Sequence, residues 1–201
     1  MELFKAASIA LSAVQSLSPY CNKVNVAGSI RREKSEVKDI EIVVIPNKIA
    51  ITGIFGPTGD FDVCPKFCNA AMSLGKVVEG IPRGRHMKID LPEGIRLDLF
   101  MPEDYDWARQ YAIRTGSAEY SYRTLAKAWV KLGWVGTENG LRLADECVKV
   151  GDKWQIKPEI KALGSFYPTK PPVWKTEEEF FAWLNLEWKA PRERYLIEME
   201  N

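Results

Sequence analysis

The sequence feature that most constrains the fold of this chain is an alternating acidic strand over residues 38–46. Successive side chains of a strand point to opposite faces, so Asp39 and Glu41 are expected on one face. Two residues along a strand cover roughly 6–7 Å, a spacing at which two flexible carboxylates can hold the same cation. The opposite face is apolar and is expected to point into a core: Ile40, Ile42 and Val44.

A glycine turn precedes this strand and has the composition of a phosphate-binding loop. Gly28 and Ser29 follow a short strand predicted over residues 24–26, and a helix that begins there offers backbone N–H groups and a hydroxyl to a polyphosphate. Arg31 and Arg32 can add charge-assisted hydrogen bonds. A glycine–serine turn alone, or an acidic strand alone, is usually a plain turn or a solvated strand. The turn, the two arginines and the acidic pair of the following strand, taken together at this spacing, favour a nucleotide site.

A second acidic strand follows further along the chain. Two alternating runs flank a Pro-Glu-Gly turn, which favours a hairpin over residues 87–102. On its second strand Arg96 and Asp98 share one face. We expect this strand to be an antiparallel neighbour of the first acidic strand, so that Asp98 supplies a third carboxylate. The alternative is an edge strand on which Arg96 and Asp98 face solvent.

The residue types available for metal binding favour carboxylate chemistry. The chain has a single histidine, His86, so a histidine metal cluster or a Ser-His-Asp triad has little to draw on. Cys64 and Cys68 have no second pair of zinc ligands and are expected to be ordinary thiols. Carboxylate oxygens suit hard ions such as Mg²⁺ or Mn²⁺.

Composition is typical of a globular protein. Hydrophobic residues make up 46% and charged residues 27% of the 201 residues, with a net charge of +1, so nucleic acid would have to be bound by local patches. No run approaches the ~20 apolar residues that span a bilayer, and no secretion signal is visible. Four cysteines without framework spacing favour a reducing compartment. We expect a monomer without membrane contact, located in the cytoplasm or, if the protein is viral, in the interior of the host cell.

The order of periodic segments predicts an α+β fold. An amphipathic helix is expected over residues 3–17, with Phe4, Ala7, Leu11 and Val14 on its apolar side. A second helix is expected over about 64–74. Glycines and prolines predict a loop or hairpin over residues 47–62. Residues 76–80 are expected to form a basic loop.

We place a domain boundary after the acidic link that follows Pro102, which gives domains of residues 1–103 and 104–201. In the second domain a helix is expected over residues 107–115, and Ser117 is placed to cap a helix over about 118–132. That helix has an apolar stripe, expected to pack in the core: Tyr122, Leu125, Ala126, Trp129 and Leu132. It also has a basic stripe, which is either a solvated surface or a contact to nucleic-acid phosphates: Arg123, Lys127 and Lys131.

The glycine–serine turn, the two arginines and the Asp39-x-Glu41 pair together resemble the signature of the DNA polymerase beta nucleotidyltransferase superfamily. The double arginine is closer to the family X DNA polymerases in particular. The resemblance spans about residues 24–195 and is weakest over 47–87. Further stretches similar to motifs of that family are Arg96-x-Asp98, Thr115-Gly116-Ser117, Asn139-Gly140-Leu141 and Pro191 to Arg194.

The resemblance implies a nucleotidyltransferase palm, with a mixed or antiparallel sheet flanked by helices, and a small α+β C-terminal nucleotide-binding subdomain. It implies a DNA-directed DNA polymerase that adds a dNMP from dNTP to a primer 3′-hydroxyl and fills short gaps in DNA repair. The partners would be primer-template or gapped DNA and dNTP, and the cofactor two Mg²⁺ ions, with Mn²⁺ as a substitute. The lyase and duplex-binding parts of larger members are not expected here, because too few residues precede Gly28.

The same resemblance assigns roles to residues. Asp39 and Glu41 would bridge both ions, and Asp98 would complete the catalytic ion's site and help to deprotonate the primer hydroxyl. Arg96 would orient Asp98 or neutralise its charge. The β- and γ-phosphates would be bound by Gly28, Ser29, Arg31 and Arg32, and the sugar and base would lie along Thr115, Gly116 and Ser117.

The chain departs from the family pattern at several positions. Glu41 stands where polymerases usually have aspartate. Ile113 and Arg114 replace an aromatic pair that helps to exclude ribonucleotides, which leaves sugar selectivity open. Ala118 and Ser121 replace polar contacts to the base and minor groove, which leaves fidelity open.

Two other functions share parts of this pattern. A nucleotidyltransferase that acts without a template, on a nucleic-acid end or a small molecule, would use the same glycine turn and acids. A catalytically inactive nucleic-acid-binding module is the third reading, and the presence of all three acids argues against it. The C-terminal half favours the polymerase.

Overall fold

The computed structural model describes residues 1–54, 56–164 and 169–195 and shows a mixed α+β fold, which confirms the predicted fold class. The helix predicted over 3–17, the helix over 64–74 and the hairpin over 87–102 are confirmed. The N-terminal lobe contains α1 (Leu3–Leu17), β1 (Cys21–Val26), α2 (Gly28–Arg31), β2 (Asp39–Pro46), β3 (Lys48–Gly53), β4 (Gly56–Val63), α3 (Pro65–Ser73), β5 (Lys76–Gly80), β6 (His86–Asp90) and β7 (Arg96–Phe100).

The central sheet of this lobe has the strand order β1-β2-β7-β6-β5. β2 runs parallel to β7, so the expectation that the two acidic strands are antiparallel is wrong. β6 is antiparallel to both of its neighbours, β7 and β5, so β5 and β7 run in the direction of β2 and β6 runs against them.

Two further segments lie outside the acidic strands. β3 and β4 form a two-stranded sheet of their own, in line with the predicted loop or hairpin. Residues 76–80, expected to be a basic loop, are the strand β5 at the end of the central sheet. Val77 and Val78 favour a strand, and that preference prevails over the flanking glycines and charges.

The core of the N-terminal lobe lies between one face of the central sheet and the helices α1 and α3. Ile40, Ile42 and Val44 of β2 are buried there, as predicted. The predicted apolar side of α1 is wrong at Phe4 and Leu11, which are 88% and 56% exposed, whereas Val14 packs against the core. The face of α1 that approaches the sheet consists mainly of small residues, which permit close packing: Ala6, Ala10, Ala13 and Leu17.

The C-terminal lobe has its own core and its own sheet, of strand order β10-β11-β8-β9. The helix predicted over 107–115 is confirmed. The side chain of Thr176 caps the helix that begins at Glu177 by accepting a hydrogen bond from the N–H of Glu179. The elements of the C-terminal lobe are α4 (Trp107–Thr115), α5 (Ala118–Tyr120), a π-helical segment (Ser121–Ala126), α6 (Lys127–Lys131), β8 (Trp134–Thr137), β9 (Gly140–Leu143), β10 (Cys147–Val150), β11 (Lys153–Ile156), α7 (Pro158–Ala162) and α8 (Glu177–Trp183).

The helix predicted over about 118–132 is continuous but contains the π-helical segment between α5 and α6. The wider turn changes which residues face the core. Tyr120 and Leu125, five residues apart, are both buried, whereas Tyr122 is 67% exposed. The predicted apolar stripe is therefore wrong at Tyr122 and Leu132, which are exposed, and right at Leu125 and Trp129, which are buried. Ala126 is partly buried against the same core.

The polar contacts that join the two lobes include two groups of arginine hydrogen bonds. On one side Arg31 donates to Thr115 and Glu177. On the other, Arg85 donates to the backbone carbonyl of Glu138 and, at 2.8 Å, to Oδ1 of Asn139 in the β8–β9 turn. Between these contacts lies a small apolar cluster drawn from both lobes: Ala27, Val43, Ile45, Phe100 and Trp107.

Within the described ranges, no helix combines the length and apolarity that crossing a bilayer would require.

Candidate active site

The three predicted metal-binding acids lie on one face of the central sheet, opposite the N-terminal core. In the parallel register of β2 and β7, Glu41 lies directly across from Asp98, and Asp39 is two residues away along β2. All three side chains are half-buried. β7 lies between β2 and β6, which excludes the alternative of an acidic edge strand.

Gly28 lies directly against this acidic face. Its φ of +61° is in the left-handed region, and a Cβ at this position would lie 2.0 Å from Oε2 of Glu41 and 3.0 Å from its Cβ. The backbone N–H of Ala27 donates to the carbonyl of Glu41 at 2.8 Å. Glycine is therefore required here both for backbone conformation and for space.

Glu41 is an acid with a strongly shifted pKa. Burial raises its pKa to about 7, Asp39 adds to the rise, and the cations Arg114 and Arg32 oppose it. Asp98 also raises it, because like charges that share a partly desolvated site disfavour a further ionisation. A carboxyl group tuned close to neutral pH inside a cleft is typical of functional sites.

Three buried polar atoms in this region have no hydrogen-bond partner among the described residues: Ser29 Oγ, Arg32 Nε and Arg114 Nε. Leaving a buried donor unpaired costs about 1–3 kcal/mol, so three in one region indicate a surface completed by a ligand rich in acceptors. Burial lowers the pKa of both arginines, while Glu41 raises it. Two further such atoms, in Arg142 and Trp174, belong to the C-terminal lobe.

Arg114 was not predicted as a site residue. Its guanidinium carbon lies 3.9 Å from the ring centroid of Phe100, and it is close enough to Glu41 and Asp98 for each charge to influence the other. The signal that could have found it is its position directly before the Thr115-Gly116-Ser117 turn. A cation there, at the end of a helix that packs on the sheet, is placed to face the acids.

A cleft of about 550 Å³ opens between the lobes beside Glu41 and Asp98. Its volume is within the range of small-molecule sites. A groove of about 840 Å³ under the β3–β4 hairpin is larger, but none of the three acids lines it. The basic side chains that line the cleft are Arg85, His86, Lys88 and Arg114.

Arg31, predicted to bind phosphate, has other partners. Its guanidinium makes two hydrogen bonds with the carboxylate of Glu177, at 2.9 and 2.6 Å, and one with Thr115 Oγ1 at 2.6 Å. It also stacks 3.7 Å from the ring centroid of Tyr111. These contacts occupy the guanidinium, so Arg31 joins the lobes instead of facing the cleft.

Glu177 receives a second arginine, Arg194, which is fully buried and donates at 2.6 and 3.2 Å. Burial raises the pKa of Glu177, but the hydrogen bonds from Arg31 and Arg194 outweigh burial and hold the pKa below its ordinary value. The carboxylate is thus ionised, and it links the first lobe, helix α8 and the C-terminal tail.

The predicted Thr115-Gly116-Ser117 turn lies next to the arginines. Thr115 is fully buried, and its carbonyl accepts a hydrogen bond from Arg32 at 2.5 Å. The hydroxyl of Ser117 accepts from the N–H of Tyr120 and caps α5, as predicted. The hydroxyl of Ser117 therefore serves the helix, and the turn fixes the position of Arg32.

Arg96 does not orient Asp98, contrary to the role that the resemblance implied. Its Nε donates to Asp90 at 2.8 Å, and its side chain is 50% exposed. The partner of Asp98 is His86, whose Nε2 lies 2.7 Å from Asp98 Oδ1. The hairpin predicted around residues 92–94 could have revealed this contact, because its register sets His86 diagonally across from Asp98.

The acids fit a divalent cation by their chemistry and their shared face. Carboxylate oxygens are the ligands that Mg²⁺ and Mn²⁺ prefer, and a cation would stabilise the ionised form of Glu41 against the burial and the neighbouring carboxylates that raise its pKa. In their present orientations, no three His, Cys, Asp or Glu side chains of the described residues form a metal-holding group. The residues that would hold the ions are Asp39, Glu41 and Asp98.

The predicted basic stripe lies on the surface of the C-terminal lobe. Arg123, Lys127 and Lys131 are all exposed. Arg123 forms an ion pair with Glu119 at 3.1 Å, with both side chains largely in solvent. The structure is compatible with a solvated surface and with a phosphate contact.

Comparison with known proteins gives no family assignment. Models of known protein families yield no match to this sequence, and a search of curated proteins also yields none.

Proposed function

We propose that the chain is a nucleotidyltransferase of the family X DNA polymerase type, with the N-terminal lobe as its palm. It adds a dNMP from dNTP to the 3′-hydroxyl of a primer in gapped or primed DNA. The observation that carries the proposal is the convergence of three acids, from two strands far apart in sequence, beside a glycine turn and unpaired buried donors.

Binding of the triphosphate falls to the unpaired donors. Ser29 offers its hydroxyl, and Arg32 and Arg114 offer their Nε–H groups; none of these three has a hydrogen-bond partner in the described chain. Phosphate oxygens accept such charge-assisted hydrogen bonds. The phosphates of the nucleotide would thus accept hydrogen bonds from donors that the folded protein leaves unpaired. These hydrogen bonds offset the free-energy cost of burying the donors.

Nucleotidyl transfer forms a bond between the primer 3′-oxygen and the α-phosphorus and breaks the bond to the pyrophosphate oxygen. Two Mg²⁺ or Mn²⁺ ions would hold the attacking and leaving oxygens in line, and Asp39, Glu41 and Asp98 are the residues that would bind them. Asp98 accepts the proton of the primer hydroxyl. Glu41, whose pKa is raised to about 7, would have to be ionised to serve as a ligand.

The test is extension of a primer across a one-nucleotide gap, with Mg²⁺ and each dNTP and rNTP supplied separately. We expect incorporation that follows the template base. Asp39→Asn should abolish it, whereas Asp60→Asn, a control in the exposed β4 strand, should leave it unchanged. The ratio of dNTP to rNTP incorporation measures how well the protein excludes ribonucleotides with Ile113 and Arg114 in place of the aromatic pair.

Other outcomes discriminate between the functions. Nucleotide addition that does not follow the template base would overturn the polymerase proposal in favour of a template-independent nucleotidyltransferase. Full activity in Asp39→Asn would overturn the metal assignment. Absence of nucleotide transfer to any DNA end or small-molecule acceptor would overturn the proposal as a whole.

A further inference from the structure

His86 is held between two partners on the face of the sheet that carries the acids. In the register of β6 and β7, His86 lies opposite Phe100, and Lys88 lies opposite Asp98. The imidazole stacks on Phe100, with 4.6 Å between ring centroids and an interplanar angle of 12°. Its Nε2 lies 2.7 Å from Oδ1 of Asp98. The stack fixes the plane of the ring, and the hydrogen bond fixes its direction.

The contact is sheltered from water. The side chain of His86 is 28% exposed and that of Asp98 is 15% exposed, and both line the interlobe cleft. A hydrogen bond in such a partly desolvated place is stronger than one at the open surface. The carboxylate of Asp98 is therefore restrained by one oxygen and keeps its second oxygen available.

Two cationic side chains near His86 have partners other than Asp98. Arg96 donates to Asp90, and Lys88 donates to Glu79 at 2.5 Å. Both of these pairs lie largely in solvent, where an ion pair contributes little to orientation. His86 is thus the side chain that holds Asp98 in the described structure.

We infer that His86 is a positioning residue for the proposed nucleotidyl transfer. An Nε2–H donor holds Oδ1 of Asp98, which sets the rotamer of the carboxylate and leaves Oδ2 for the cation and the primer hydroxyl. Groups that orient a ligating carboxylate in this way affect activity without touching the substrate. The inference deepens the proposed function and rests on it.

A spectroscopic test does not require activity. The chain contains one histidine, so a sample labelled with ¹⁵N-histidine gives a single imidazole signal set. In mildly alkaline buffer we expect the Nε2–H tautomer, with ring nitrogen shifts that move in Asp98→Asn. An Nδ1–H tautomer, or a spectrum unchanged by Asp98→Asn, would overturn the inference.

A kinetic test separates positioning from packing. His86→Phe keeps a ring to stack on Phe100 but removes the donor, and kcat should fall roughly 10- to 100-fold with the KM for dNTP nearly unchanged. His86→Gln offers an amide N–H near the position of Nε2 and should restore most of kcat, whereas His86→Asn should not. Arg96→Gln should lower kcat less than His86→Phe does.

The outcomes keep the two proposals apart. An active polymerase whose kcat is unchanged in His86→Phe overturns the inference alone. A wild-type chain that transfers no nucleotide overturns the proposed function, and the imidazole spectrum then still decides whether His86 donates to Asp98. A kcat in His86→Gln as low as that in His86→Phe would show that an N–H donor at this position does not restore activity, and it would overturn the inference.

Discussion

At Gly28, the backbone of the turn and the carboxylate of Glu41 share a space in which no side chain fits. The site therefore depends on the absence of a Cβ atom at Gly28 as much as on the side chains around it. The two costs of adding that atom are separable. One comes from φ, which any residue other than glycine tolerates poorly, and the other from the contact with Glu41.

Gly28→Ala should therefore lose both stability and activity. The φ of +61° accounts for about 1–2 kcal/mol of unfolding free energy, and displacement of Glu41 should lower kcat by about 100-fold. Gly151 provides the control, because its φ is +60° and a Cβ there would contact nothing within 4 Å. Gly151→Ala should show the same loss in urea unfolding with normal primer extension. Equal activities in the two variants would contradict the role given to Gly28.

Glu41 should also make stability depend on pH. Its pKa is raised from 4.5 to about 7 in the folded protein, so ionisation costs more in the folded than in the unfolded state. The stabilisation is fully present below pH 4.5 and is lost as pH rises through about 7. In urea unfolding with a chelator present, the free energy should fall by about 3 kcal/mol across this window.

Glu41→Gln removes the titrating group and should flatten that part of the profile. The measurement is the difference between the wild-type and variant unfolding free energies at each pH, which cancels the other titrations. Parallel profiles across the window would show that Glu41 keeps its ordinary pKa in the fold.

At the residue scale, the sequence predicts the members of the site better than their partners. Asp39, Glu41 and Asp98 are set by strand alternation, which is local, and they share a face as predicted. Arg31 finds Glu177, 146 residues away, and no local pattern reports such a contact. Arg96 donates to Asp90 on the neighbouring strand of the hairpin. The Arg96-x-Asp98 motif does not predict this contact, because it does not specify how the two strands are paired.

At the element scale, helix α8 connects the lobes through its first residue. Glu177 is the acceptor for two arginines that come from α2 and from the C-terminal tail. Its first turn also carries Glu178 and Glu179, which are exposed. One helix terminus thus contains a carboxylate that links distant segments and two that face solvent.

Glu177→Gln should be strongly destabilising. It leaves two largely buried guanidinium groups without their counter-charge, which costs about 3–5 kcal/mol when a buried pair is broken. Glu178→Gln changes the same charge in the same turn and should stay within about 0.5 kcal/mol of wild type. Chemical denaturation measures both. Similar unfolding free energies for the two variants would mean that the link is worth no more than a surface pair.

Elements with short-range signals were predicted well, and those set by long-range pairing were not. The hairpin of β6 and β7, α4 and the cap of α5 follow from adjacent residues. The parallel pairing of β2 with β7 depends on the path of the intervening chain through α3 and β5. The π-helical segment depends on how Tyr120 and Leu125 pack in the core of the C-terminal lobe. The sequence does not indicate it, because residues of the same type recur every four positions, as they do in a regular α-helix.

At the scale of the whole molecule, charge is balanced, with a net value of +1. Attraction to DNA must then come from the distribution of cations and not from their excess. The basic stripe on the C-terminal lobe, Arg123, Lys127 and Lys131, is a candidate contact, and the basic wall of the cleft faces the acids instead.

Replacing the three residues of the basic stripe by alanine should weaken DNA binding. If each cation contacts a phosphate, the slope of log K against log salt should fall by about 3. Fluorescence anisotropy with gapped DNA at several salt concentrations measures both affinity and slope. An unchanged slope would assign the stripe to solvent.

The matched control removes three exposed lysines of the N-terminal lobe: Lys5, Lys66 and Lys76. The first two lie on the helices α1 and α3, which cover the face of the sheet away from the acids. The control variant changes net charge by the same amount and should keep the wild-type slope. Equal effects in both triple variants would indicate a general charge effect instead of a specific contact.

The parallel pairing of β2 and β7 has a consequence for how this chain can vary in length. The acids are aligned by strands that meet in the sheet, while the β3–β4 hairpin between them in sequence pairs with neither. Surface segments of that kind accept insertions and deletions at small entropic cost. The hairpin can therefore lengthen, shorten or be exchanged for another segment, and Glu41 will still lie across from Asp98.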